Sequence, residues 1–392
     1  MIDFKCVKKQ ALHRYTTVLF GLICTVALSA CAMLQNQAHQ NFEYVYFGTR
    51  VSDENTGIYG AKLDHKTGVL MPLGIVADIE RPTWLEFVPD SSVFYATASG
   101  GENGTGLIYG LKSDPNTGAV SIINKISSGG EDPTFIAPDV KREKLYIANF
   151  RDSVVSEITM NDDLSLQTVT GRQMQVGSGP HRRQDSAHAH AAVLDPSGQF
   201  VLSPDLGADK VFIYKLPEND GGLQAASRAE VTTPAGTGPR HLVFHPNGKF
   251  CYLVFELTAQ VQVYSWNAQI GELIPIETQN TLSEGFEGFK SVSELAISKD
   301  GRFLYVTNRG ENQLIVYNVS EQTGAISEIQ RVSVGGKLPW HFAMNKSEEW
   351  LLIANFKSNS VTAFRRDDET GLVERMSGEI EIPQVANVAF RK

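Results

Sequence analysis

One unit recurs seven times along this chain: a strand, a polar turn that usually ends in glycine, and a second strand. It reads GIYGAKLDHKTGVLMPL from Gly57, LIYGLKSDPNTGAVSII from Leu107, SVVSEITMNDDLSLQTV from Ser153 and KVFIYKLPENDGGLQAA from Lys210. QVQVYSWNAQIGELIPI from Gln260, QLIVYNVSEQTGAISEI from Gln313 and SVTAFRRDDETGLVERM from Ser360 complete the set. With Ile58, Ile108, Val154, Val211, Val261, Leu314 and Val361 as equivalent positions, the steps are 50, 46, 57, 50, 53 and 47 residues. A repeat of that length cannot bury its hydrophobic face alone, so the copies must stack on one another. Between copies lies a second hairpin, as in TWLEFVPDSSVFYATAS, HAAVLDPSGQFVLSPDL, HLVFHPNGKFCYLVFEL and SELAISKDGRFLYVTNR. Its turns, such as Asp-Pro-Ser-Gly and Pro-Asn-Gly, are flanked by alternating β-branched and aromatic residues. Four short strands per repeat is the pattern of a β-propeller; helical solenoids need a 3.6-residue period that these segments lack.

The ends of the repeat region predict how the ring closes. Tyr44 to Thr49 is a strand without a partner before the first copy, and Val385 to Phe390 is another after the last. Pairing them completes a blade from both ends and removes an exposed sheet edge. The expected fold is therefore all-β: a seven-bladed β-propeller closed by N- and C-terminal strands. A net charge of −9 argues against a nucleic-acid partner, because neutralising phosphates takes clustered Lys and Arg.

Blades of a propeller converge on a central channel, and the loops at its mouth supply the ligands. The hairpins that carry charge at their ends are thus the informative ones. His188 and His190 open one, and Asp205 closes it; Arg240 and His241 open the next, and Glu256 closes it. Glu294 opens a third, and Asn308-Arg309 closes that one. Across the Pro246-Asn247-Gly248 turn, Arg240 and Glu256 fall at one end of a hairpin. The closing pairs Asn149-Phe150 and Asn355-Phe356 are uncharged by comparison. His188 and His190 share a strand face, but no third ligand is placed to finish a metal site, so neither metal nor cofactor is expected.

The run AEVTTPAGTGPRHLVFHPNGKFCYLVFEL, with HAHAAVLDPSGQFVLSPDLGAD before it and DGRFLYVTNRG after it, resembles the seven-bladed lactonase family. That family includes the bacterial propeller-type 6-phosphogluconolactonase and the fungal 3-carboxymuconate cyclase. The resemblance extends over the whole chain from about Tyr44. It implies a lactone hydrolase whose active-site residues fall on His190, Arg240, Glu256 and Arg309. The hairpin ends add His188, Asp205, His241 and Glu294 as substrate-binding candidates, and Trp340 joins them. A carboxymuconate-type cycloisomerase and a non-catalytic ligand-binding propeller are the alternatives. Where the family commonly has Pro-Arg, this chain has Pro339-Trp340, which removes a cation and favours a neutral sugar lactone. No G-x-S-x-G nucleophile elbow occurs, so direct attack by water is expected. Glu256 and His190 both remain candidates for the base.

The N-terminus follows a different logic. Lys5, Lys8, Lys9 and Arg14 precede an apolar run from Val18 to Leu28, as in an export signal too short to span a membrane. Leu28-Ser29-Ala30-Cys31 resembles a bacterial lipobox, which implies lipidation at Cys31. The expected organisation is a signal over 1–30, a lipidated cysteine and tether over 31–42, and the propeller over 43–392. The protein would then be a periplasm-facing envelope lipoprotein, on the outer membrane by the residue after Cys31, touching membrane only through that anchor. Cys251 is the one cysteine left in the folded part, so no disulfide framework can form.

Overall fold

The computed structural model describes residues 41–217 and 222–391. These form seven four-stranded sheets. Six are consecutive in sequence; the seventh has the order Val385–Phe390, Phe42–Thr49, Ile58–Asp64, Leu70–Ala77. The C-terminal strand is innermost there and pairs antiparallel with the N-terminal one, Val45 opposite Phe390 and Phe47 opposite Val388. The predicted ring closure is present. Phe42 opens its strand two residues ahead of the expected start at Tyr44. The export signal, Cys31 and most of the tether lie outside the described residues.

Burial follows from blade stacking. The second strand of most blades is covered on both faces, so all six residues of Val93–Ala98, Phe250–Phe255 and Trp350–Asn355 are buried. The apolar cores lie between blades: Tyr252, Val254, Leu304 and Ile315 join the blade of Phe250–Phe255 to that of Phe303–Asn308. Cys251 is buried and unbridged, and burial pushes its thiol pKa up. Among the described residues no helix is long and apolar enough to cross a membrane.

A second joint recurs at the rim. The glycine that ends an outer turn sits against an aromatic ring of the preceding blade: Gly68 on Trp350, Gly271 on Phe200, Gly324 on Phe250 and Gly371 on Phe303. One residue pair further in, Tyr252 Oη donates to Gly324 O at 3.0 Å and Tyr305 Oη to Gly371 O at 2.7 Å.

Two features position the site. The innermost strands carry β-bulges at their first residues: register slips between Pro239 and Leu242, Val292 and Leu295, and Pro339 and His341. A bulge lets two consecutive side chains turn to the same side, which a regular strand forbids. The ends of the described chain, by contrast, sit at the far face. Phe42 and Arg391 line one depression there, and Phe390 lines the lower mouth of the channel.

Candidate active site

The upper end of the channel is a cavity of about 270 Å³. Six blades each send the residue at the head of their innermost strand into its wall: Thr83, Thr134, His190, Arg240, Trp340 and Ala386. Because of the bulges, the residues that follow Arg240 and Trp340 also face the axis, so His241 and His341 line the cavity, and Trp84 lines it too. Trp84 forms the floor, edge-on to His241 at 5.4 Å and to His341 at 5.1 Å.

Glu256 is the anionic centre. It is 2% exposed, and Arg240 Nε lies 2.8 Å from Oε2. Arg183 Nη1 lies 2.5 Å and Arg309 Nη1 3.4 Å from Oε1. Burial alone would raise its pKa; Arg309, Arg183 and Arg240 outweigh burial and hold it at about 2. Burial presses Arg309 down to about 9, still cationic at neutral pH. Arg309 lines the cavity, and its Nε and Nη2 are buried without a hydrogen-bond partner.

His190 stands across the cavity with Nε2 3.9 Å from Glu256 Oε2. Burial first, then the charge of Arg240, holds it well below the ordinary histidine range, so the ring is neutral. Its Nδ1 faces His241 Nε2 at 3.1 Å, and His241 Nδ1 faces the Glu294 carboxylate at 3.0 and 3.1 Å.

The residues expected from sequence separate into three groups. His190, Arg240, Glu256, Arg309, His241 and Trp340 all meet at the cavity. Glu294 does not line it; it faces the lower channel and reaches the upper cavity only through His241. His188 and Asp205 stand aside. His188 stacks on Phe150 at 4.6 Å, and its Nδ1 contacts Phe150 O. Asp205 Oδ1 accepts the backbone amides of His188, Gly207 and Ala208, and Oδ2 accepts Ser153 Oγ. Its carboxylate is consumed in shaping the loop that carries His190. His188 and His190 also do not converge, because Phe150 stacks on one and meets the other edge-on.

Trp340 itself carries no charge, but cations stand against its ring. The Arg309 guanidinium lies 4.1 Å and that of Arg50 5.2 Å from the Trp340 ring. Arg50, Arg183, Arg240 and Arg309 all line the cavity, against Glu256 and Asp132. It is therefore strongly cationic. Arg50 and Arg183 escaped the sequence reading. Arg50 follows the strand Phe42–Thr49 as Glu256 follows Phe250–Phe255 and Arg309 follows Phe303–Asn308. Extending that register to the closing blade would have found it. Arg183 lies in an irregular loop with no repeat equivalent, and no periodic signal marks it. Phe150 occupies the same register and lines the wall despite carrying no charge.

Comparison with known proteins places this architecture. The profile of the family described as lactonase, 7-bladed beta-propeller, matches residues 44–390. A 6-phosphogluconolactonase of Bacillus subtilis is 29% identical over 345 residues, covering 88% of this chain and 97% of its own. A second 6-phosphogluconolactonase, from Formosa agariphila, is 29% identical over 83% of this chain and 93% of its own. Among solved structures, the periplasmic gluconolactonase of Pseudomonas aeruginosa superposes with a TM-score of 0.84 at 32% identity, covering 90% of this chain and 99% of that one.

Proposed function

The chain belongs to the seven-bladed β-propeller lactonase family and is a lactone hydrolase; we propose that it opens a single-ring aldonolactone by direct attack of water, with His190 as the base. The observation that carries this reading is a neutral imidazole facing a cavity walled by four arginines. Glu256 is the weaker candidate for the base. A carboxylate held at about 2 by three guanidiniums has little affinity for a proton, and efficient bases lie nearer the working pH.

In this reading His190 Nε2 takes a proton from water as its oxygen adds to the lactone carbonyl carbon. The oxyanion that forms is met by the donors of Arg309 and Arg240, held in place by Glu256. The ring C–O bond then breaks, and the imidazolium returns its proton to the departing alkoxide. The free acid loses its own proton to solvent. Each turnover thus begins with a neutral or anionic ester and ends with a new carboxylate, which the cationic wall suits whether or not the sugar is phosphorylated.

The substrate proposed is an unphosphorylated aldonolactone in the cell envelope. A cavity of about 270 Å³ favours one sugar ring, an export signal over 1–30 would keep the chain away from phosphorylated intermediates, and the Pseudomonas aeruginosa neighbour is a periplasmic gluconolactonase. Acid release from gluconolactone and from its 6-phosphate, each corrected for spontaneous hydrolysis, tests the proposal. The expected kcat/KM favours the neutral lactone by at least about tenfold. A preference for the phosphate refutes the substrate, and no acceleration with any aldonolactone refutes the reaction.

A further inference from the structure

The hydrogen-bond partners behind His190 determine which of its nitrogens carries the proton. Glu294 is 6% exposed; burial would raise its pKa, but His241 above all, then His341 and Arg240, outweigh burial and hold the carboxyl at about 2. An ionised carboxylate only accepts, so His241 Nδ1, 3.0 Å away, must donate to it. Arg240 Nη1 also lies 3.3 Å from that nitrogen, but it donates to Ser293 O at 2.5 Å. The carboxylate is the closer partner and carries full charge, so it decides the tautomer of His241. Burial keeps His241 neutral despite Glu294, which leaves its Nε2 bare. His190 Nδ1 therefore donates to it across 3.1 Å, and the lone pair of His190 is left on Nε2, on the side of Glu256.

Glu294 is itself gripped from the other side. Val388 N donates to His341 Nδ1 at 3.2 Å, so the proton of His341 is on Nε2, which faces Glu294 Oε2 at 3.5 Å. Leu295 N donates to Oε1. The carboxylate thus sits in a fixed place beneath the floor of the cavity.

We propose that Glu294 and His241 are positioning residues for the lactonase reaction: a carboxylate–imidazole relay that presents His190 with its lone pair toward the substrate and stabilises the imidazolium that forms during attack. The relay rests on the reading of His190 as the base. It crosses the floor, since His241 lines both the upper cavity and the lower channel while Glu294 lines only the lower one. The part of the molecule that tunes the base therefore lies out of the substrate's reach.

The first test uses the unaltered protein. Nitrogen-15 NMR of histidine-labelled enzyme, with His190 assigned through His190→Asn, is expected to show His190 protonated on Nδ1 and bare on Nε2. The opposite tautomer overturns the relay. The second is kinetic. Glu294→Gln keeps the size of the side chain and removes its charge, and kcat is expected to fall about 10²-fold with KM within about threefold. Loss of the carboxylate also destabilises the His190 imidazolium, whose other charged neighbours are Arg240, Arg309 and Glu256. The acidic limb of the kcat profile should therefore move to lower pH. A purely structural Glu294 would lower the melting temperature and leave that limb in place. His190→Ala separates the two levels of inference. If it is inert while Glu294→Gln matches wild type in rate and profile, the relay fails and the base stands. If it retains wild-type turnover, both fall.

Discussion

Three guanidiniums converge on the single carboxylate of Glu256, and the arrangement makes stability depend on pH. The carboxyl is held at about 2 in the folded chain against an ordinary 4.5. As pH falls through that window the unfolded chain binds a proton that the folded one refuses, so stability present at neutral pH is lost. The loss from one such group is on the order of a few kcal/mol. Glu256→Gln removes the charge and leaves buried cations uncompensated, which costs about 3–5 kcal/mol at neutral pH. Urea unfolding across a pH series should therefore show the gap between wild type and variant widest at neutral pH and narrowing toward acid. A gap that does not change with pH would show that the three ion pairs contribute nothing to folding. Most of this cluster was legible in the sequence, because hairpin geometry alone brings Arg240 beside Glu256. Arg183 was not, because no local pattern says where an irregular loop will fold back.

At the level of strands and turns, the repeated outer turn does more than reverse the chain. Gly324 has φ +73, and a Cβ there would lie 2.5 Å from Phe250 Cδ1 of the preceding blade. The glycine serves the turn and the inter-blade contact together. Gly74 has a similar φ of +77 but open space around it. Gly74→Ala therefore carries the backbone strain alone, of roughly 1–3 kcal/mol. Gly324→Ala adds overpacking of roughly 1–3 kcal/mol more. Equal shifts in the urea midpoint for the two variants would rule out the aromatic contact as a constraint. The polar turns ending in glycine announced these hairpins by composition. Their docking on the preceding blade was invisible, because it depends on residues some 70 positions away, as for Tyr252 and Gly324. The bulges were hidden for another reason: period-two reading assigns Arg240 and His241 to opposite faces, and the register slip overrides it.

For the whole molecule, the repeat count and the two orphan strands were enough to predict both the number of blades and their closure. What the repeats could not convey was the difference between the two ends of the channel, since every blade contributes to both. That asymmetry bears on the proposed anchor. If Cys31 is lipidated, wild-type protein should partition with membranes on cell fractionation and Cys31→Ser should be released to the soluble fraction. Equal partitioning of the two would exclude the anchor. The described chain begins and ends on the face opposite the arginine-lined mouth, at Phe42 and Arg391. Anything held close against either of these residues, a bilayer, a fused protein or a chromatography bead, would lie behind the enzyme. Its mouth would then look outward into the bulk, and coupling the propeller to a solid support beside either residue should leave substrate as free to enter as it is in solution.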